Sequence, residues 1–138
     1  MLAASGRGWL MIIRFDKSSV AGEVYQLPAD KLLRGNPTQT VWVHYTDASG
    51  RFMSGVWLSE PGKWRISYSE EEYCHMLEGR SILTGQGDAP VTVVAGDSFV
   101  IPRGFIGTWE VVERTRKEFA IYEPGEPGPP GPPDRSIA

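Results

Sequence analysis

Glu72-Tyr73-Cys74-His75-Met76-Leu77-Glu78-Gly79 and Gly96-Asp97-Ser98-Phe99-Val100-Ile101-Pro102-Arg103-Gly104 are the two stretches on which the fold turns. The first runs from a carboxylate through aromatic and apolar residues to a glycine; six residues lie between Glu72 and Gly79. The second has five residues between Gly96 and Pro102, and one between Pro102 and Gly104. Glycine supplies positive φ and proline a preset φ, so each stretch has the form of a short strand held by tight turns. Outward from these two, alternation or β-branched and aromatic enrichment marks further strands at Met11–Phe15, Glu23–Leu27, Thr40–Tyr45, Phe52–Leu58, Lys63–Tyr68, Arg80–Thr84, Val91–Val94, Gly107–Val112 and Lys117–Tyr122. With Glu72–Leu77 and Ser98–Ile101 these make eleven. Turn chemistry separates them at Asp47–Gly50, Glu60–Gly62, Gly85–Asp88 and Ala95–Asp97. Ala29–Arg34 is the one stretch suited to a helical turn or two. Many short strands in one small domain predict an all-β barrel or sandwich.

At 138 residues and 41% apolar content, the chain suffices for one core. A net charge of −3 without a Lys/Arg cluster argues against nucleic acid or an anionic membrane as partner. Cys74 is alone, so no internal disulfide forms, and a reducing, cytoplasmic location is expected. The apolar run Trp9–Ile13 is too short for a signal-peptide core or a bilayer span. Residues 1–10 are expected to be a flexible extension and residues 11–122 the barrel domain. Residues 123–138 contain Glu123-Pro124-Gly125-Glu126-Pro127-Gly128-Pro129-Pro130-Gly131-Pro132-Pro133-Asp134 and are expected to form a disordered, polyproline-like tail.

The two opening stretches resemble the paired cupin motifs, G-x5-H-x-H-x3–4-E-x6-G and G-x5-P-x-G-x2-H-x3-N. The resemblance covers roughly Gly55 to Tyr122. It implies a double-stranded β-helix, the RmlC-like jelly-roll barrel of the cupins. Gly55-Val56-Trp57, Pro61-Gly62-Lys63-Trp64-Arg65, Glu72-Tyr73-Cys74, Leu77-Glu78-Gly79, Gly107-Thr108-Trp109-Glu110-Val111 and Arg116-Lys117 are similar to the cupin domain of the ureidoglycine aminohydrolase family. Such cupins commonly pair through their N-terminal strands, which implies a homodimer with Glu23–Leu27 as a contributor.

Catalytic cupins hold a divalent metal with three histidines and a glutamate, a donor set suited to manganese, iron, nickel or zinc. Counting from Glu72, the first two histidine positions fall on Ile66 and Tyr68, or on Arg65 and Ser67 with the longer spacing; the third falls on Gly107. Glu72 alone matches. The chain has two histidines, His44 and His75, so a three-histidine site is excluded. If Glu72 faces inward, strand parity sends Cys74 and Met76 inward and His75 outward. Any metal site would therefore draw on Glu72 with His44, with Cys74 and Tyr68 as further candidates. Otherwise Glu72 is held by Tyr68, Arg65 or Trp109, and bulky groups fill the metal space.

Arg65, Ser67, Tyr68, Glu72, Cys74 and Trp109 are the expected ligand-binding residues. Trp57, Trp64 and Phe105 are candidate lining, with core packing the commoner role for each. Glu70 and Glu71 are expected in solvent. Lys117 shares a strand face with Phe119 and Ile121 and is equally compatible with the barrel mouth or the surface. Two functions are compatible with these residues, besides a purely structural or partner-binding role through edge strands or the proline-rich tail. One is binding of a small polar ligand without a metal cofactor. The alternative, implied by the resemblance, is a metal-assisted enzyme, with manganese as cofactor, acting on a ureide or related nitrogen compound. Whether the chain is an enzyme, and which residues would be catalytic, stays open on sequence grounds.

Overall fold

A computed structural model of the chain describes residues 10–125. Among these residues nine strands form an antiparallel, curled sheet: β1 (Glu23–Tyr25), β2 (Leu32–Arg34), β3 (Gln39–Thr46), β4 (Phe52–Ser59), β5 (Gly62–Ser67), β6 (Glu71–Gly85), β7 (Val91–Val94), β8 (Ser98–Ile101) and β9 (Ile106–Tyr122). Strand β9 organises the rest. Along one edge its first half pairs with β5 and its second half with β4, while β6 follows the other edge over most of its length. Strand β6 then carries β8 and β7 on its far edge, β3 and β1 extend outward from β4, and β2 from β5. Among the described residues, no helix is long and apolar enough to cross a membrane.

The strand count departs from eleven because two expected breaks are bends within continuous ladders. Glu72–Leu77 and Arg80–Thr84 are one strand, β6; Gly107–Val112 and Lys117–Tyr122 are one strand, β9. The β6/β9 register shifts between Met76 and Ser81, a bulge that bends both strands without ending the pairing. Gly79 sits in this bulge at φ +92°, and an added Cβ would run into the Arg114 carbonyl oxygen. Gly79→Ala is therefore expected to cost at least ~1–2 kcal/mol from the left-handed backbone alone. Urea unfolding of the variant checks this; an unchanged midpoint would mean that the bulge relaxes freely.

Two further expectations are corrected near the N-terminus. Met11–Phe15 forms no strand: Leu10–Ile13 is irregular and exposed, and Phe15–Lys17 is a 3-10 turn. Its apolar composition suits a strand, but within the described residues no ladder edge pairs with it. Ala29–Lys31 does make a single 3-10 turn, but Leu32–Arg34 continues as β2, paired with Trp64 and Lys63 of β5. Residues 1–9 and 126–138, including most of the expected extension and tail, lie outside the described residues.

The core fills the space enclosed by β4, β5, β6 and β9. Trp57, Trp64, Cys74, Met76, Leu83, Ile101, Trp109, Val111 and Phe119 are all buried. A polar seam crosses it at the bulge: Trp109 Nε1–H donates to Ser81 Oγ (3.1 Å), which shares a hydrogen bond with Thr115 Oγ1 (2.8 Å). Burying an indole with its N–H satisfied retains the full apolar gain of the ring.

Candidate functional site

The inward faces of β4, β5, β6 and β9 converge on one buried cation. Register sets Lys117 opposite Trp57 on β4 and Met76 on β6, while Trp64 of β5 faces Trp109 of β9. Parity turns Glu72, Cys74 and Met76 inward, and Lys117 joins them because Thr115, Lys117, Phe119 and Ile121 share a strand face. Lys117 is only 4% exposed. Its Nζ donates to Glu72 Oε2 at 2.9 Å and to Cys74 Sγ at 3.4 Å. It also lies 4.3 Å from the Trp109 ring centroid and 4.7 Å from that of Trp57. The second Glu72 oxygen accepts from the Tyr68 hydroxyl at 2.6 Å.

These contacts shift the titration of Lys117, Tyr68 and Cys74. Burial pulls the Lys117 amine toward neutrality, but the Cys74 sulfur and the Glu72 carboxylate pull harder, and its pKa is raised. Burial, reinforced by the Glu72 charge, raises the Tyr68 pKa, so the phenol keeps its proton and donates. The Cys74 thiol is pushed up to about 12, chiefly by burial, with Lys117 opposing. A neutral thiol at the barrel floor is a poor nucleophile.

Above this floor lies a cavity of about 300 Å3 whose lining includes Tyr25, Gln39, Trp57, Trp64, Ile66, Tyr68, Glu70, Glu72, Trp109 and Lys117. Trp57 and Trp109 meet edge to face at 5.4 Å, and Trp64 lies nearly parallel to Trp109 at 6.5 Å. Tyr25 Oη accepts the Trp57 indole N–H at 3.0 Å, and Gln39 Nε2 donates to Ser59 Oγ at 3.2 Å.

Of the six residues expected to bind ligand, Tyr68, Glu72 and Trp109 reach the cavity lining, and Cys74 lies beneath it against Lys117. Arg65 and Ser67 do not. Both are on the outer face of β5, and Arg65 Nη1 donates instead to the Asp30 carbonyl at 3.3 Å. The inward pair is Ile66 and Tyr68, which decides between the two motif spacings. Trp109 does not hold Glu72, since its N–H goes to Ser81. Trp57 and Trp64 line the cavity, whereas Phe105 lines a second, apolar cavity of about 180 Å3 near β7 and β8. Glu70, expected in solvent, stands half-buried in the lining. Lys117 is the residue that sequence reasoning left undecided; a lone cation on the face of Phe119 and Ile121 was the available signal.

The residues do not fit the divalent metal that the motif resemblance implies. Both Glu72 oxygens are taken by Tyr68 and Lys117, and the ammonium supplies the positive charge itself. His44 stacks on Phe15 at 4.6 Å and is absent from the cavity lining, so it cannot pair with Glu72 around an ion. Position 107 is a glycine at which even a Cβ would meet the Thr84 carbonyl oxygen. Among the described residues, no group of three or more His, Cys, Asp or Glu side chains is placed to share an ion.

A family model described as the EutQ-like cupin domain matches residues 46–119. No curated protein matches the sequence. Several solved structures share the fold. A DUF861-family protein of unknown function from Pseudomonas syringae pv. tomato superposes with a TM-score of 0.68 at 20% identity, covering 76% of this chain and 45% of that one. The chain thus spans less than half the length of that protein. The EutQ protein of Clostridium difficile gives 0.53 at 16% identity, covering 63% and 65% of the two chains. A cupin superfamily protein from Desulfitobacterium hafniense gives 0.54 at 12% identity, covering 62% and 78%. At these identities the likeness is one of fold.

Proposed function

The chain belongs to the EutQ-like cupin domain family, and within that all-β jelly roll we propose that it binds a small polar molecule without a divalent metal. One observation carries this: a lysine ammonium, bonded to Glu72 and Cys74 and bracketed by two indoles, occupies the floor of an open, aromatic-walled cavity. The tethered cation neutralises Glu72 from within the chain, and the cavity above combines apolar walls with a few convergent polar groups, as small-molecule sites do. Manganese-assisted hydrolysis of a ureide, which the ureidoglycine aminohydrolase likeness would suggest, needs a ligand set that these residues do not form.

Two measurements test the proposal together. Protein purified without tag or chelator, then incubated with manganese, iron and zinc, is expected to retain far less than one metal per chain by elemental analysis. A panel of small polar compounds is expected to contain members that raise the melting temperature, with the gain lost in Glu72→Gln or Trp109→Ala. One bound transition metal per chain that disappears in Glu72→Ala, together with manganese-dependent ammonia release from ureidoglycine, would overturn it.

A further inference from the structure

Given the binding function proposed above, on which this inference rests, the cavity lining also constrains the charge of the ligand. Two hydrogen-bond donors are left over at the cavity. Lys117 has three N–H bonds, of which Glu72 and Cys74 take two. Tyr25 accepts the Trp57 N–H, and among the described residues its own hydrogen has no acceptor. Burial raises the Tyr25 pKa, so that hydrogen is retained. Both donors flank one indole: Lys117 lies over the face of Trp57, and Tyr25 sits at its N–H edge.

The charges lining the cavity are Lys117, Glu72 and Glu70. Lys117 and Glu72 cancel at the floor, and Glu70 leaves one negative charge. An anion entering this space would approach two carboxylates. A cation would approach the buried ammonium, which already occupies the faces of Trp57 and Trp109. An ion of either sign meets a like charge as well as an opposite one in this lining, and either would give up its hydration against the indole walls, so both kinds of ion are disfavoured. An uncharged group meets no such cost and finds donors and acceptors side by side. We propose that the cavity takes an uncharged carbonyl compound of the amide, lactam or urea class: its oxygen accepts from Lys117 and Tyr25, its N–H donates to the Glu70 carboxylate, and its apolar body lies against Trp64 and Ile66.

Benzamide, benzoate and benzamidine have nearly the same shape and differ in charge, so they separate charge from fit. With the full chain, benzamide is expected to change the tryptophan fluorescence saturably and to raise the melting temperature, and the two ions are expected to bind at least about tenfold more weakly. Tyr25→Phe keeps the ring and removes one hydrogen bond, and should weaken benzamide about two- to tenfold. Tighter or equal binding of benzoate or benzamidine would overturn the charge assignment while leaving a small-molecule pocket standing. Benzamide binding unchanged in Tyr25→Phe would overturn the donor assignment. Failure of all three compounds, with failure of the wider panel, would remove this inference and the binding function together.

Discussion

Lys117→Met is expected to destabilise the protein by about 3–5 kcal/mol, because it leaves Glu72 buried with a single neutral donor, Tyr68. For a chain of this size that corresponds to a fall in melting temperature of roughly 10–20 °C. Methionine matches the length of the lysine stem, so lost packing accounts for little of the change. Glu72→Gln should also destabilise, since it strands the ammonium among Cys74 and two indoles. The double variant Glu72→Gln/Lys117→Met removes both charges and is expected to be more stable than Lys117→Met alone. Denaturant unfolding of the four proteins closes a double-mutant cycle. Additive losses, or a Lys117→Met protein within about 1 kcal/mol of the parent, would show that the ion pair does not hold the barrel floor.

Alkali should unfold this protein sooner than its composition suggests. Tyr68, Cys74 and Lys117 all have folded pKa values raised from their ordinary 10.0, 9.0 and 10.5. In the unfolded chain each loses its proton near the ordinary value, whereas in the folded chain each keeps it to higher pH. The folded state therefore binds more protons above about pH 9, and stability falls as pH rises. Each retained proton contributes a slope of about 1.4 kcal/mol per pH unit, so Cys74 and Tyr68 together approach ~3 kcal/mol per unit above about pH 10, and Lys117 acts in the same direction. Below about pH 9 these groups are protonated in both states and add no slope. Urea midpoints from about pH 8 to about pH 11 should be flat and then drop, and Cys74→Ser should move the onset upward by about one unit. A midpoint that holds level to about pH 11 would contradict the protonation states assigned to the barrel floor.

Much of the fold was legible because its signals are local. Alternation marked β3, β4, β5, β7 and β8 to within a residue or two, and Gly96, Pro102 and Gly104 marked the turns around β8. Gly79 misled because a bulge and a strand-ending turn require the same residue; only the partner strand, more than thirty residues away in sequence, distinguishes them. Strand β2 is too short to carry a period and exists through its pairing with β5. At the barrel floor, the inward direction of Glu72 and Cys74 followed from motif counting and parity. Arg65 and Ser67 lie outside the cavity; the motif allows two spacings, and the residues alone do not choose between them. Lys117 stayed undecided for a different reason. Its inward orientation depends on Glu72 and Cys74, more than forty residues away, and no window along the chain contains both sides of that contact.

The place of β9 in the sheet has a consequence for how the protein is made. A ribosome delivers the strands in order, and β9 is the last among the described residues, yet β4, β5 and β6 each have one hydrogen-bonded neighbour in it. Until residue 122 clears the exit tunnel, the nascent chain holds a set of strands lacking a common partner, with unpaired edges and the Trp57 and Trp64 rings uncovered. Non-local pairing of this kind is slow and prone to association between chains. Closure of the barrel therefore has to wait for β9, whatever hairpins form before it.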